Sequence, residues 1–266
     1  MKCALIALSR EGAALARIVA RSLPSADVFV HVAQAVSLRG DPADRPTAPV
    51  QTFRSIMALT KRVFRNYCGL VYFAPCGVVA RALAPQVKHK LRDPAVVVVD
   101  AGGRYAISLL SGHEGGANEL ALRVANILGA EPVVTTTTEA LKTAIVGVGC
   151  RRGVAADRIV TAVCRALRAA RVSLAEVRVL ASADIKAGEN GLLEAARILR
   201  LPLRFISADE LRSTAKTFRH SRFVQSKVAL PAVAEPAALL AGRRTRLVLP
   251  KRAWRGVTVA IARESC

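Results

Sequence analysis

The segment from Pro94 to Thr138 constrains the fold of this chain more than any other part of its sequence. The apolar run from Val96 to Asp100 is typical of a buried strand, and a Gly102-Gly103 turn separates it from a second apolar strand, Tyr105 to Leu110. A polar, glycine-rich loop then leads directly into an amphipathic helix. Open α/β sheets place their ligand sites at strand-to-helix junctions of this kind, so we expect a binding site in this loop.

The loop carries four polar side chains that suit chemistry at a carbonyl group. His113 is a candidate proton donor or acceptor because imidazole titrates near neutral pH, and Glu114 is a second candidate. Ser111 and Asn118 are candidates to orient a substrate carbonyl or carboxylate. Each has a structural alternative: His113 could hydrogen-bond only to the loop backbone, Ser111 and Asn118 could cap the helix, and Glu114 could stabilise its first turn.

The backbone of the same loop also suits binding. We expect Gly112, Gly115 and Gly116 to let the chain turn sharply and approach a ligand closely. The first N–H groups of the following helix have no partner within the helix and favour negative charge. On the neighbouring strands, we expect Asp100 to point toward the same edge of the sheet and Thr136 to line the cleft. The alternatives are a turn-forming aspartate and the ordinary strand propensity of threonine.

A second set of polar junctions occurs in the C-terminal half of the chain. Arg151 and Arg152 join a predicted strand to a helix, where a guanidinium group could pair bidentately with a carboxylate. Asp184, Lys186 and Glu189 form another polar junction after the next predicted strand. We therefore treat these five residues as candidate substrate-binding positions.

Predicted strands and helices alternate along the whole chain, an order that is typical of α/β domains. We predict two α/β domains with mostly parallel sheets covered by helices, one over residues 1–140 and one over residues 141–266. The pattern predicts a loop from Asp41 to Pro49, a helix over residues 52–66 and a strand over residues 132–137.

The composition predicts aliphatic cores, because hydrophobic residues make up 52% of the chain and aromatic residues 4%. No apolar stretch reaches the roughly 18 residues that a membrane helix needs. The N-terminal apolar run, Cys3 to Leu8, is too short for a signal peptide, so we expect a cytoplasmic protein. The six cysteines lack metal-binding or redox spacing, and we interpret them as reduced thiols, with no metal site.

The chain has a formal net charge of +21, and this charge is unevenly distributed. Residues 51–92 contain eight Lys or Arg and no acidic residue, and residues 211–266 contain twelve against two. Three interpretations stay open: nucleic-acid binding, an acidic small-molecule substrate, and a solvated surface in an arginine-rich proteome. No helix-turn-helix, zinc-finger or RNA-recognition signature is present and aromatic residues are scarce, which argues against nucleic acid.

The loop sequence LLSGHEGGANELA, which begins at Leu109, and the Thr-rich run after it resemble the signature region of the CbiG family of cobalamin biosynthesis. The segment from Cys76 to Asp100 is also similar to the N-terminal domain of that family. GVGCRRG, ADIKAGENGLLEAA and VAEPAALLA, which begin at Gly147, Ala183 and Val233, are similar to its C-terminal domain, which is shared with the CobE proteins.

This resemblance implies the hydrolysis of cobalt-precorrin-5A in anaerobic cobalamin biosynthesis, in which water opens a δ-lactone on the cobalt-containing macrocycle and a fragment leaves as acetaldehyde. It implies His113 as acid or base, Ser111, Asn118 and nearby backbone N–H groups as donors to the carbonyl, and Arg151 or Arg152 as carboxylate anchors. No cofactor is expected, because the substrate carries the cobalt.

The partner implied by the resemblance is a polycarboxylate corrinoid intermediate. Other cobalamin-pathway enzymes and a second copy of the chain, in a homodimer, are compatible with it, whereas neither nucleic acid nor a membrane is expected. The alternative function is a non-catalytic carrier of corrinoid intermediates, similar to CobE. The chain departs from the family pattern twice: residues 139–144 stand where a middle segment is usual, and Ala101 stands where an acidic residue is common.

Overall fold

Two separate sheets organise the chain, one in each of two units, Met1–Thr136 and Thr137–Cys266. The computed structural model describes residues 1–23, 25–35, 50–218 and 232–265. The loop predicted from Asp41 to Pro49 lies outside the described residues. The predicted α/β class is confirmed, since both sheets are covered by helices.

The sheet of the first unit has seven strands in the order β3-β2-β1-β4-β5-β6-β7. Strands β1 to β5 are mutually parallel, β6 is antiparallel to β5, and β7 is parallel to β6. The strands are β1 (Cys3–Ala7), β2 (Ala26–His31), β3 (Val50–Phe53), β4 (Gly69–Phe73), β5 (Ala95–Val99), β6 (Tyr105–Leu110) and β7 (Glu131–Val133). The helices of this unit are α1 (Arg10–Ser22), α2 (Val32–Ala35), α3 (Ile56–Val63), α4 (Cys76–Leu83) and α5 (Ala117–Leu128).

Helices cover both faces of this sheet, which is why its central strands are apolar at every position. Side chains alternate between two cores, so that Leu5 lies in one and Ile6 in the other. The first core contains buried residues of α1 and α5, and the second contains buried residues of α3 and α4.

The sheet of the second unit has five strands in the order β10-β9-β8-β12-β11. Strands β8, β9 and β10 are parallel, whereas β12 is antiparallel to β8 and to β11. The strands are β8 (Ala144–Cys150), β9 (Val177–Ala183), β10 (Leu203–Ile206), β11 (Thr245–Trp254) and β12 (Val257–Glu264). The helices are α6 (Thr137–Ala140), α7 (Ala156–Ala170), α8 (Asn190–Leu199), α9 (Ala208–Ser213) and α10 (Ala234–Leu240).

Helix α10 packs very closely on β8. A Cβ atom at Gly147 would collide with the backbone carbonyl of Ala234, so a glycine is needed where the helix crosses the strand. Buried side chains of α7 and α8 form a core with residues of β8, β9 and β12. The GVGC segment is thus explained in part by packing.

Two predictions about elements were wrong in detail. The helix predicted over residues 52–66 is shorter, because Val50–Phe53 pairs with β2 as an edge strand and Ser55 caps α3 through the amide of Ala58. The strand predicted over residues 132–137 ends at Val133, and Thr137 begins the short helix α6. Both sheets are mixed, since the turn after β5 reverses the chain and β12 returns antiparallel. No helix within the described ranges is long and apolar enough to cross a membrane.

Candidate active site

The loop between β6 and α5 lies at the edge of the sheet where β5 begins. Val96 pairs with Leu110 and Val99 with Ala106, so β5 and β6 form an antiparallel hairpin. The end of β6 therefore returns to the starting edge of β5, and the loop that follows lies far from the end of β5. The prediction that Asp100 shares an edge with this loop was wrong, because it assumed parallel strands.

Asp100 instead organises the hairpin turn. One carboxylate oxygen accepts hydrogen bonds from the amides of Arg104 and Tyr105, both at 2.8 Å, and the other accepts one from Gly102 at 3.2 Å. Burial acts to raise the pKa of Asp100, but the hydrogen bonds from Tyr105 and Arg104 outweigh it and the pKa is lowered. The turn-forming alternative explains this residue.

The loop after β6 folds back on itself. Ser111 adopts a left-handed conformation, with φ of 57°, and its carbonyl accepts hydrogen bonds from the amides of Gly115 and Ala117, both at 3.1 Å. The Gly112 carbonyl accepts a further bond from the amide of Asn118 at 3.0 Å. The first two amides of α5 are therefore occupied by the loop, contrary to the expectation that they are free for an anion.

Two glycines of the loop are required by contacts within the protein. A Cβ atom at Gly112 would lie 2.6 Å from Thr136 Cγ2, and one at Gly115 would lie 2.5 Å from Ser111 Cβ. Gly116 has a positive φ of 84° and is the N-cap of α5. The predicted sharp turn is present, and the close approaches that it permits are to neighbouring side chains.

Asn118 forms a hydrogen-bonded link between three elements. Its Oδ1 accepts from Ser108 Oγ at 2.8 Å, and its Nδ2 donates to Thr136 Oγ1 at 2.9 Å. The structure thus brings Asn118 and Thr136 together, as the sequence predicted for one edge of the sheet. Ser108 was missed, although a lone serine in the apolar strand from Tyr105 to Leu110 was a signal for it.

His113 and Glu114 lie at the exposed tip of the loop. Glu114 forms an ion pair with Lys90, with 2.9 Å between Glu114 Oε1 and Lys90 Nζ. The Lys90 ammonium group is the main cause that lowers the pKa of Glu114, and the Glu114 backbone amide and His113 act in the same direction. Glu114 is therefore held as a carboxylate, and the neighbouring imidazole of His113 is exposed to solvent.

Ser111 has the opposite environment. The residue is 7% exposed, and its Oγ atom is buried without a hydrogen-bond partner among the described residues. A buried hydroxyl group without a partner is unusual, because its desolvation is not compensated. The structure places this orphan hydroxyl directly at the start of the loop that carries His113.

A basic loop, defined here as Lys88 to Arg92, lies next to the His113 loop. It joins α4 to β5, and its contact with the His113 loop is the ion pair of Lys90. Its residues were not among the predicted site positions. The signal was the cluster of basic residues from Lys88 to Arg92, shortly before a buried strand.

In the second unit, the structure brings Lys186 and Glu189 together with the loop after β8. Lys186 Nζ lies 3.1 Å from one carboxylate oxygen of Glu189, and the other oxygen accepts a hydrogen bond from the amide of Gly153 at 3.0 Å. The hydrogen bond from Gly153 is the main cause that lowers the pKa of Glu189, with Lys186 contributing. Burial raises the pKa of the nearby Cys150 thiol, although Lys186 opposes this.

The other predicted residues of this unit occupy different positions. The carboxylate of Asp184 accepts hydrogen bonds from the amides of Ile185 at 2.7 Å and Ala208 at 3.1 Å. The second bond joins the end of β9 to the start of α9. Arg151 and Arg152 are exposed, and the Arg151 amide donates to the carbonyl of Gly256 at 2.9 Å. Asp184 thus has a structural explanation, and the two guanidinium groups face solvent.

The described residues contain no group of three or more His, Cys, Asp or Glu side chains that could hold a metal ion. The cysteines within the described ranges, Cys3, Cys68, Cys76, Cys150 and Cys164, are free.

Comparison with known proteins identifies relatives of both units. The family described as cobalamin synthesis G N-terminal matches residues 58–139, and that described as cobalamin synthesis G C-terminus matches residues 144–262. The cobalt-precorrin-5A hydrolase of Priestia megaterium is 38% identical over 141 residues, which are 53% of this chain and 36% of that protein. The enzyme of the same name from Salmonella typhimurium is 49% identical over 79 residues, which are 30% of this chain and 22% of that protein.

The matched regions thus span about a third or less of these curated relatives. Among solved structures, CobE, a protein from the cobalamin (vitamin B12) biosynthetic pathway, is 32% identical, with a TM-score of 0.41. That similarity covers 46% of this chain and 91% of CobE.

Proposed function

Because the chain belongs to the CbiG family, we propose that it is a cobalt-precorrin-5A hydrolase, which opens the substrate lactone and releases acetaldehyde. The observation that carries the proposal is the exposed His113 in the folded-back loop after β6, within the region that matches the N-terminal family domain. Imidazole is the side chain that most often serves as a general acid or base.

In the proposed first step, His113 removes a proton from water as the water oxygen attacks the lactone carbonyl carbon. The ring C–O bond breaks, and its oxygen receives a proton to leave a hydroxyl group beside a new carboxylate. Removal of the hydroxyl proton then allows the adjacent C–C bond to break. Acetaldehyde leaves, and the bonding electron pair stays on the macrocycle. The cobalt ion belongs to the substrate and is not assigned to a protein site.

Neighbouring residues support this chemistry in different ways. Asn118, whose side chain is engaged with Ser108 and Thr136, holds the first turn of α5 against β6 and the segment after β7. The hydroxyl of Ser111, which has no hydrogen-bond partner among the described residues, is the proposed donor to the substrate carbonyl once the loop admits the ligand. Glu114 stays ionised beside Lys90 and contributes negative charge near His113.

In the second unit, Arg151 and Arg152 are the proposed anchors for substrate carboxylates, because both guanidinium groups are exposed. Lys186 and Glu189 have a supporting role, since their ion pair and the bond to Gly153 hold the loop that carries these arginines. We place the protein in the cytoplasm, the compartment in which free cysteines are usual.

The test is to incubate the purified full chain with cobalt-precorrin-5A under anaerobic conditions and to trap acetaldehyde. The expected result is one acetaldehyde released per substrate consumed, with a matching change in the corrinoid absorption spectrum. Binding without any acetaldehyde would support the alternative of a non-catalytic carrier. If the chain neither bound nor converted the substrate, both functions would be wrong.

A further inference from the structure

We propose that the basic loop, Lys88 to Arg92, is a binding site for the peripheral carboxylates of the substrate and determines the preference for an acidic macrocycle. The inference rests on the proposed function for the class of ligand, and on the structure for the site. It adds to the His113 loop a second recognition element within the same unit.

The backbone of the basic loop is held in a fixed conformation. The buried carboxylate of Asp93 accepts hydrogen bonds from the amides of Lys88 and His89, both at 2.9 Å. The carbonyl of His89 accepts the amides of Arg92 and Asp93, also at 2.9 Å. Because these bonds use backbone groups and one acidic side chain, the cationic side chains are displayed on a preorganised turn.

Two of the three cations of this loop, Lys88 and Arg92, have no ion-pair partner among the described residues. Lys88, Lys90 and Arg92 are all exposed, and Lys90 alone forms an ion pair with a described residue. The sequence from Gln51 to Arg92 contains no acidic residue, and the carboxylate of Asp93 that follows accepts hydrogen bonds from the amides of Lys88 and His89. Clustered like charges repel one another, and a carboxylate ligand removes this repulsion while it forms charge-assisted hydrogen bonds.

The position of the loop links it to the candidate active site. Lys90 Nζ lies 2.9 Å from Glu114, the residue after His113, and a Cβ atom at Gly115 would lie 3.4 Å from the carbonyl oxygen of Asp93. A ligand that contacts His113 therefore lies within reach of the basic loop. Carboxylates at the rim of a macrocycle fit this arrangement.

The basic loop also presents apolar surface. Leu91 is 64% exposed, and Val87, which directly precedes the loop, is 43% exposed. Exposed aliphatic side chains beside lysine and arginine suit an amphipathic ligand with an apolar ring and a carboxylate fringe. A small inorganic anion would pair with the cationic groups but would not contact these aliphatic side chains.

The test compares two double variants with the same loss of charge. Lys88→Gln with Arg92→Gln removes the cations of the basic loop that have no carboxylate partner among the described residues. Arg10→Gln with Arg54→Gln removes two exposed cations at the opposite edge of the same sheet, after β1 and β3. The probe is a free-acid corrinoid, titrated by absorbance at low and moderate salt, and the same corrinoid with its carboxyl groups methyl-esterified.

We expect the basic-loop variant to bind the free-acid corrinoid about tenfold more weakly, with a smaller salt dependence, and to bind the ester as the unmodified chain does. The control variant should stay within about twofold of the unmodified chain. In turnover, the basic-loop variant should raise KM and leave kcat unchanged. Circular dichroism should show both variants folded.

If the two double variants weakened binding of the free-acid corrinoid equally, overall charge would explain the effect and the proposal would be wrong. Unchanged binding by the basic-loop variant would also overturn it. Absence of acetaldehyde from the unmodified chain would overturn the hydrolase function instead. The two failures are distinguishable because the titration needs no turnover.

Discussion

The Nδ2 group of Asn118 donates a hydrogen bond to Thr136 Oγ1 across 2.9 Å, which joins the first turn of α5 to the segment that follows β7. The Oδ1 atom of the same amide accepts from Ser108 on β6. One side chain therefore fixes the start of α5, directly after the loop that carries His113, against β6 and the segment that follows β7. Both bonds are partly buried, so each is expected to contribute measurably to stability.

Thr136→Val should destabilise the protein by about 1 kcal/mol more than Thr136→Ser does, because valine removes the acceptor for Asn118 and serine retains it. Chemical denaturation of the two variants and the unmodified chain measures the difference. Equal losses from the two substitutions would show that the threonine methyl group, and not the hydrogen bond, stabilises this junction.

Gly115→Ala should lower the free energy of unfolding by about 1–3 kcal/mol, since the added Cβ atom would lie 2.5 Å from Ser111 Cβ and 2.9 Å from the Ser111 carbonyl oxygen. Gly188→Ala is the matched control, because nothing lies within 4 Å of a Cβ atom there. That variant should change stability by about 0.5 kcal/mol or less. A Gly115→Ala variant as stable as the control would contradict the tight packing of the loop.

Glu189→Gln should destabilise the second unit by about 1–3 kcal/mol at neutral pH, because Lys186 loses its partner while both side chains are largely buried. The hydrogen bond from Gly153 and the charge of Lys186 lower the folded-state pKa of Glu189 below that of the unfolded chain. The stabilisation is therefore complete above the ordinary glutamate value of about 4.3 and is lost as pH falls through the lower folded value.

The difference in stability between the unmodified chain and Glu189→Gln should accordingly shrink as the solution is acidified. Denaturation curves recorded across the acid range measure it. Glu194→Gln, which breaks an exposed pair with Arg197, is the control and should change stability much less than Glu189→Gln at neutral pH, because solvent screens the exposed pair. A pH-independent difference for Glu189→Gln would contradict the lowered pKa.

His113→Ala should reduce acetaldehyde release at least about a hundredfold, the lower end of the effect of a lost general acid–base group. Thermal unfolding should be unchanged, because the imidazole is exposed. His31→Gln is a control at the opposite edge of the sheet, where the glutamine amide can still donate to the carbonyl of Arg54. Full activity in a folded His113→Ala protein would remove this histidine from the mechanism.

Much of the secondary structure could be predicted because it depends on local patterns. Strand β5 was predicted from a continuous apolar run, and α7 from a periodic apolar face. Strand β3 was missed, since only Phe53 of its four residues is buried and its pairing with β2 comes from a distant part of the chain. The Thr-rich run was predicted as the end of a strand over residues 132–137, whereas β7 pairs with β6 only from Glu131 to Val133.

The candidate site was predicted in its sequence position but not in its surroundings. The loop from Ser111 to Asn118 could be predicted from its glycines and polar residues, and the same residues carry its similarity to the CbiG signature. The edge that it occupies depends on the direction of β6. A tight turn at Gly102-Gly103 between adjacent strands predicts a hairpin, and this signal was sufficient to separate Asp100 from the loop.

The sequence by itself determined the α/β class, the family and the segment that carries the candidate chemistry, because these depend on residue types within short windows. Tertiary structure alone decided that Lys90 meets Glu114, that Asn118 meets Ser108, and that the Ser111 hydroxyl has no partner among the described residues. Such contacts depend on strand direction and loop closure between distant segments. Hydrogen bonds and charges act over a few ångströms, and only the folded chain sets those distances.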